Sequence, residues 1–382
     1  MLFARVEMLD RGVVTLEAEP GYSVRNSKIM SPIYSFFNAG RACLFAAVLW
    51  GHAWAGPTNV GVTSREFEDP GRTNWAGTGA RPVRVTIWYP AGTGTTRELV
   101  DCHGESVAVW RDAGLAGASQ QRPLILISPG SGGRAADMIW LGYFLAERGY
   151  IAAAVDHNGT EAEELNRAGP TLTDFFGWGR AADLSLALIR LRDDSQFSAA
   201  VAPDRVAAAG FSLGGTTALW LAGARLDLDS LRRHSPPPPA ALAEAIAERV
   251  RFAEADPRGQ EAVKRAERSY RDDRIKAVVA LAPPMGAGFL AEGLSDIGVP
   301  VCIVVGDEDR IAPAEANARH FAKHIPGARL VEVAGERGHY INPISPEQRR
   351  DEMQKVAELA FEFFEQTWTT KRSDERTPWN KN

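Results

Sequence analysis

The sequence predicts an α/β fold built on a mostly parallel, doubly wound sheet. Three observations carry that expectation. Short apolar runs alternate with amphipathic stretches along most of the chain. Some of those runs, among them Pro123–Ser128 (PLILIS) and Tyr150–Val155 (YIAAAV), are apolar at nearly every position, as strands covered on both faces are. One strand-to-helix junction carries Gly210-Phe211-Ser212-Leu213-Gly214, a tight-turn motif that needs that context.

The 382-residue chain is long enough for one large domain or two small ones, and 24% charged with 45% hydrophobic residues is ordinary globular composition. The net charge of −5 gives no general attraction to phosphate backbones or anionic membranes. Basic residues are scattered singly or in pairs, which leaves no nucleic-acid footprint.

Residues 1–29 show scattered charges and no clear apolar period, and read as an over-extended N-terminus with Met30 the true initiator. From Met30 onward come Arg41, the uncharged apolar run Ala42–Trp50 and the small-x-small triplet Ala53-Trp54-Ala55. These are the three parts of a secretory signal peptide. The apolar run is too short to span a bilayer as a stable helix. Residues 30–55 are therefore expected to be a signal peptide, with a periplasmic or secreted product that keeps no stable membrane anchor. The α/β domain then covers 56–369, and 370–382 form a polar, flexible tail.

Within the domain, Val83–Tyr89 (VRVTIWY) alternates and reads as an antiparallel strand near a sheet edge. Residues 91–121, rich in Gly, Thr and Ser, read as an excursion loop. The strand Pro123–Ser128 runs into a Gly cluster, and a helix with apolar Met138, Leu141 and Leu145 spans 136–148. The strand Tyr150–Val155 follows, then a loop over 160–179 rich in Gly, Thr and aromatics. Arg180–Arg192 has the helical spacing Leu184, Leu188, Leu191. Arg205–Phe211 (RVAAAGF) is the central strand, and Ile275–Leu281, Pro300–Val305 and Arg329–Val333 are three more. A helix from Pro346 to Trp368 closes the domain. Residues 222–274, with their Pro236–Pro239 run and charged helical stretch, read as a helical cap inserted over the active-site edge.

Gly210–Gly214 matches G-x-S-x-G with a strand before it and a helix (TTALWLAGA) after it. That is the setting of a nucleophile elbow, in which small neighbours let a strained serine stand above the sheet. A serine hydroxyl is a poor nucleophile at neutral pH and needs a base, and the base needs a carboxylate. In this architecture the acid and then the histidine follow the serine in the chain. His339, in the loop just after Arg329–Val333, is the expected base. His320 and His324 have metal-like spacing on a helix but no carboxylate signature, and read as a solvated face. The acid lies in Gly306-Asp307-Glu308-Asp309-Arg310; Asp309, clear of the turn, is favoured over Asp307. The oxyanion hole needs two backbone N–H donors. Leu213, after the nucleophile, and Ser131, in Pro129-Gly130-Ser131-Gly132-Gly133, are the expected pair.

His157, at the end of a strand, reads as a residue at the site edge that contacts substrate or structures its loop with Asp156. Trp140, Phe175, Phe176 and Trp178 are candidate pocket walls or core. Of the cysteines, Cys43 falls in the signal peptide; Cys302 reads as a buried thiol, and neither it nor Cys102 has metal-ligand spacing or a pairing that the sequence can argue.

The series LILISPGSGG, GYIAAAVDHNGT, GRAADLSLALIRL and DRVAAAGFSLGG, in that order, resembles the predicted dienelactone hydrolases and the plasma-type platelet-activating factor acetylhydrolases. The resemblance runs from about residue 60 to residue 366. It implies an α/β-hydrolase fold and hydrolysis of a small-molecule carboxylic ester without metal or organic cofactor. It places the nucleophile at Ser212, the base at His339 and the oxyanion donors at Leu213 and Ser131. The chain departs from the family in having Pro129-Gly130 where His-Gly is frequent, and Ser212 where true dienelactone hydrolases carry cysteine. Plasma-type acetylhydrolases take their acid from an earlier strand end; here that end reads Leu281-Ala282-Pro283-Pro284, which moves the acid to Asp309. The leading expectation is a serine carboxylic-ester hydrolase. An amidase or peptidase with the same triad, and a non-catalytic binding protein of the same fold, are the alternatives. Dehalogenase chemistry is disfavoured by serine at the elbow.

Overall fold

The computed structural model describes residues 59–92, 96–160, 164, 177, 179–235, 251, 255–333, 339 and 346–375. Their framework is one ten-stranded sheet in the order β10-β9-β8-β7-β5-β6-β2-β1-β4-β3. The strands are β1 Val60–Thr73, β2 Ala80–Pro90, β3 Arg97–Cys102, β4 Glu105–Arg111 and β5 Arg122–Ser128. They continue as β6 Ile151–His157, β7 Val201–Phe211, β8 Val278–Leu281, β9 Val301–Gly306 and β10 Arg329–Val333. From β10 across to β6 every neighbouring pair is parallel. β2 joins β6 antiparallel, β1 joins β2 antiparallel, and the β3–β4 hairpin is added beyond β1.

The central strands are buried on both sides because their side chains alternate between two hydrophobic layers. In β5, Leu124 and Leu126 enter one core and Ile125 and Ile127 the other. The first core holds α2 (Gly179–Asp193), through Leu184, Leu188 and Leu191, and α3 (Leu213–Ala222) with fully buried Trp220. The second holds α1 (Ile139–Glu147) and the C-terminal helix Pro346–Glu375, through Leu141, Leu145, Val356, Ala360 and Phe364. Helices on both faces of a parallel sheet are the doubly wound arrangement expected above.

Four local expectations change. The stretch 91–121 is no plain loop: it contains β3 and β4, with half-buried Val100, Cys102 and Val107 and fully buried Val109 facing inward while Leu99 is exposed. Val83–Tyr89 lies inside the sheet rather than near its edge, since β1, β4 and β3 lie beyond it. β1 was not anticipated; only its first residues are buried, and the rest carries mainly polar side chains around Phe67. The helix after β5 begins as a 3₁₀ turn over Ala135–Met138. Within the expected cap, helices span Leu228–His234 and Pro257–Ala266. Its remaining segments 236–250 and 252–254, most of loop 160–179, the expected signal peptide 30–55 and the tail from 376 lie outside the described residues. Among the described residues no helix is long and apolar enough to cross a membrane.

Candidate active site

Ser212 occupies the turn between β7 and α3 with φ 53° and ψ −123°, a left-handed conformation that costs on the order of 1–3 kcal/mol for a residue with a side chain. Packing and backbone hydrogen bonds hold it there. The Ser212 N–H donates to Leu281 O at 2.8 Å, and Ser212 O accepts from Gly215 N at 2.8 Å and Thr216 N at 3.2 Å. The flanking glycines are obligatory. A Cβ on Gly210 would lie 2.2 Å from Gly214 O, and one on Gly214 would lie 1.9 Å from Ser128 O. The elbow and the end of β5 are thus pressed together, backbone on backbone.

His339 and Asp309 meet the serine in one unbroken relay. His339 Nε2 lies 2.7 Å from Ser212 Oγ, and His339 Nδ1 lies 2.7 Å from Asp309 Oδ2. Asp309 Oδ1 accepts the N–H groups of Ile311 at 2.8 Å and Ala312 at 2.9 Å. With both carboxylate oxygens accepting, the Nδ1 hydrogen of His339 donates to Asp309 and Nε2 is left to accept the serine hydrogen. Both side chains are buried, at 2% exposure for His339 and 4% for Asp309. Burial alone would raise the Asp309 pKa, but the bond and charge of His339 and the two backbone donors outweigh it, and the net direction is downward. Phe211 packs a tilted ring on His339 at 5.1 Å, which fixes the imidazole plane from the other side. Asp307 is exposed, and its backbone N–H donates to Val333 O at 3.2 Å. Of the two acid candidates, only Asp309 reaches the histidine.

The loop after β5 lies against the elbow: a Cβ on Gly130 would be 3.6 Å from Ser212 Cβ. Gly132 N–H is committed to Thr160 O at 2.9 Å, and Gly133 N–H to Gly130 O at 3.3 Å. Among the described residues no acceptor takes the N–H of Ser131 or of Leu213. Among the described residues, two amide donors without an acceptor thus lie in the segments the sequence singled out.

These are the marks of one architecture: a mixed sheet with a parallel core, an interior strand ending in a strained serine, and an acid and a histidine after two later strands. The fold is that of the α/β-hydrolases. A solved ferulic acid esterase from Streptomyces cinnamoneus superposes with a TM-score of 0.53 at 22% identity, over 82% of this chain and 91% of that one. No family model and no curated protein matches the sequence.

Other candidates fall elsewhere in the α/β-hydrolase frame. His157 is fully buried, with Nε2 3.0 Å from Ser128 Oγ and Nδ1 2.9 Å from Asp183 Oδ2, so it faces the scaffold rather than a substrate. Asp156, its expected partner, instead accepts the Ala135 N–H at 2.6 Å. Trp140 packs against the core of α1 and the C-terminal helix. Phe175, Phe176 and Trp178 lie outside the described residues. His320 and His324 meet as tilted rings with centroids 4.8 Å apart, with His320 Nε2 on Phe289 O. Among the described residues no group of three potential metal ligands occurs. Cys102 and Cys302 are both free thiols, and burial pushes Cys302 up to about 11.

Sequence reasoning missed the buried polar cluster behind the loop after β5, formed by Arg72, Arg81, Arg180 and Asp183 with His157. The signal was present in α2. Arg180 and Asp183 continue the apolar stripe Leu184, Ala187, Leu188, Leu191 backward at helical spacing, so both had to face inward.

Proposed function

We propose that this protein is a serine hydrolase that cleaves carboxylic esters through an acyl-enzyme. The observation that carries the reading is the relay Ser212–His339–Asp309, with 2.7 Å at each link, built on a strained turn. Ser212 Oγ attacks the ester carbonyl as His339 Nε2 takes its proton; His339 returns that proton to the departing alkoxide. Water, deprotonated by the same nitrogen, then releases the acid. Asp309 holds the imidazole in the required tautomer and stabilises the imidazolium. The N–H groups of Leu213 and Ser131 receive the charge that develops on the carbonyl oxygen. The residue series that resembles the predicted dienelactone hydrolases and plasma-type platelet-activating factor acetylhydrolases supports ester chemistry, as does the name of the solved esterase with the same fold.

The test is covalent labelling with a fluorophosphonate together with turnover of nitrophenyl acetate and of an anilide analogue. Wild-type protein labels at Ser212 and turns over the ester far faster than the anilide; the Ser212→Ala variant does neither. An unlabelled wild type ends the enzyme reading, and equal rates on anilide and ester replace esterase by amidase. The same reading includes export: a chain made from Met30 is cut after Ala55 and recovered outside the cytoplasm, which N-terminal sequencing of the exported protein checks.

A further inference from the structure

Behind the loop that carries Ser131 lies a buried cation that the chemistry above does not use. Arg180, the second residue of α2, is 1% exposed. Its Nη2 donates to Pro129 O, to Ser128 Oγ at 3.2 Å and to Gly130 O at 3.4 Å. Its Nε and Nη1 are buried without a hydrogen-bond partner among the described residues. Among the described residues no carboxylate is bonded to it. Asp183, one turn further along α2, is taken by Arg81 at 2.8 and 2.7 Å, by Arg72 at 2.7 Å and by His157 at 2.9 Å. A cation out of water is tolerated only where acceptors replace its hydration. For Arg180 those acceptors are two peptide carbonyls of one loop and a serine hydroxyl.

The covalent geometry of that loop converts this contact into an orientation. The Gly130 C=O and the Ser131 N–H are the two ends of one planar trans peptide and point in opposite directions. Arg180 and the Gly133 N–H, at 3.4 and 3.3 Å, both hold the carbonyl end. A donor on the carbonyl polarises the peptide and strengthens its N–H as a donor on the far side. On one flank, Gly132 is tied to Thr160 O at 2.9 Å. On the other, the Asp183 carboxylate can only accept, so His157 Nδ1 donates to it, Nε2 of the neutral ring accepts the Ser128 hydroxyl hydrogen, and Ser128 Oγ accepts from Arg180. Each donation fixes the next, and the whole cluster keeps one proton arrangement.

We propose that Arg180 is a positioning residue of the oxyanion hole: through the carbonyls of Pro129 and Gly130 it holds and polarises the peptide whose N–H, that of Ser131, meets the developing oxyanion. The inference rests on the serine-hydrolase reading. It requires Arg180 to matter more in the transition state than in the bound substrate, which a merely structural residue would not.

The experiment uses full-length protein carrying Arg180→Met or Arg180→Gln. Three quantities are read: kcat, KM on nitrophenyl acetate, and the inhibition constant of a short-chain alkyl trifluoromethyl ketone, whose adduct with serine places an oxyanion in the hole. Rates are expressed per serine titrated with fluorophosphonate, so loss of folded protein does not enter. The expected result is a fall in kcat of about 10- to 100-fold, short of the ~100- to 1,000-fold for complete removal of one donor. KM stays near the wild-type value, and trifluoromethyl ketone affinity falls by the same factor as kcat. Wild-type kcat and ketone affinity in either variant overturn the proposal, as does a parallel change in KM that leaves kcat intact. Failure to recover any folded, labelled protein from both variants makes Arg180 a core residue and also overturns it. If wild-type protein neither labels nor turns over, it is the serine-hydrolase reading that fails.

Discussion

Replacing Asp309 by asparagine changes one atom, and the geometry dictates where that atom goes. Oδ1 of Asp309 accepts two backbone N–H groups, at 2.8 and 2.9 Å, and only an oxygen can stay there. The amide nitrogen of the asparagine is then forced to the Oδ2 position, 2.7 Å from His339 Nδ1, where it donates instead of accepting. Nδ1 loses its hydrogen, Nε2 gains one, and Nε2 no longer accepts the Ser212 proton. In serine proteases this wrong tautomer lowers kcat about 10⁴-fold. At ~1.36 kcal/mol per decade that is about 5 kcal/mol of barrier. The expected outcome for D309N is a loss of that order on nitrophenyl acetate, a matching fall in fluorophosphonate labelling rate, and little change in the melting temperature. D307N, altered outside the relay, keeps nearly wild-type turnover. A D309N protein with more than about a tenth of wild-type kcat refutes the tautomer argument, since no residual effect of that size is compatible with a blocked base.

Three further outcomes follow from the same geometry. Gly214→Ala drives a Cβ to 1.9 Å from Ser128 O and 2.6 Å from Pro129 O, both backbone, so a loss of ~1–3 kcal/mol or more is expected in urea melts, together with loss of activity. Trp220→Ala empties a fully buried site between α3 and Phe289 and costs ~3–5 kcal/mol, read by calorimetry. Burial, with the nearby Arg180 charge, holds His157 down to about 3, whereas an unfolded histidine titrates near 6.5. The unfolded chain therefore binds the extra proton across that window, so stability is full above it and is lost as pH falls. His157→Gln flattens the slope of urea midpoints between about pH 4.5 and 7, and an unchanged slope assigns the loss to other groups.

The parallel heart of the sheet was readable because β5, β6, β7 and β9 are apolar on both faces and terminate in Gly-containing turns. The elbow was readable because its glycines are demanded by backbone contact, not by preference. The N-terminal strands were not. In β1 only Val60–Thr63 are buried, and beyond them the exposed face dominates the sequence. β3 and β4 are short and half-exposed, and Gly104, at φ 95°, reads as loop although it turns a hairpin. The polar cluster behind the loop after β5 was hidden for another reason. Charged residues on a helix are first assigned to water, and Arg180 and Asp183 sit in the buried stripe only because partners from β2, β5 and β6 meet them there. Those partners are distant in the chain, so no local pattern announces them.

The sheet order sets how such a site would wear out. Ser212 leaves β7, an interior strand, but Asp309 follows β9 and His339 follows β10, which is the rim of the sheet. A rim strand has pairing on one side alone and opens at lower cost than an interior one. Peeling β10 away would carry the imidazole off while the hydroxyl, its bent backbone and both cores stay put. Warming should then silence turnover several degrees before the molecule melts, with the serine still presented but without its partner.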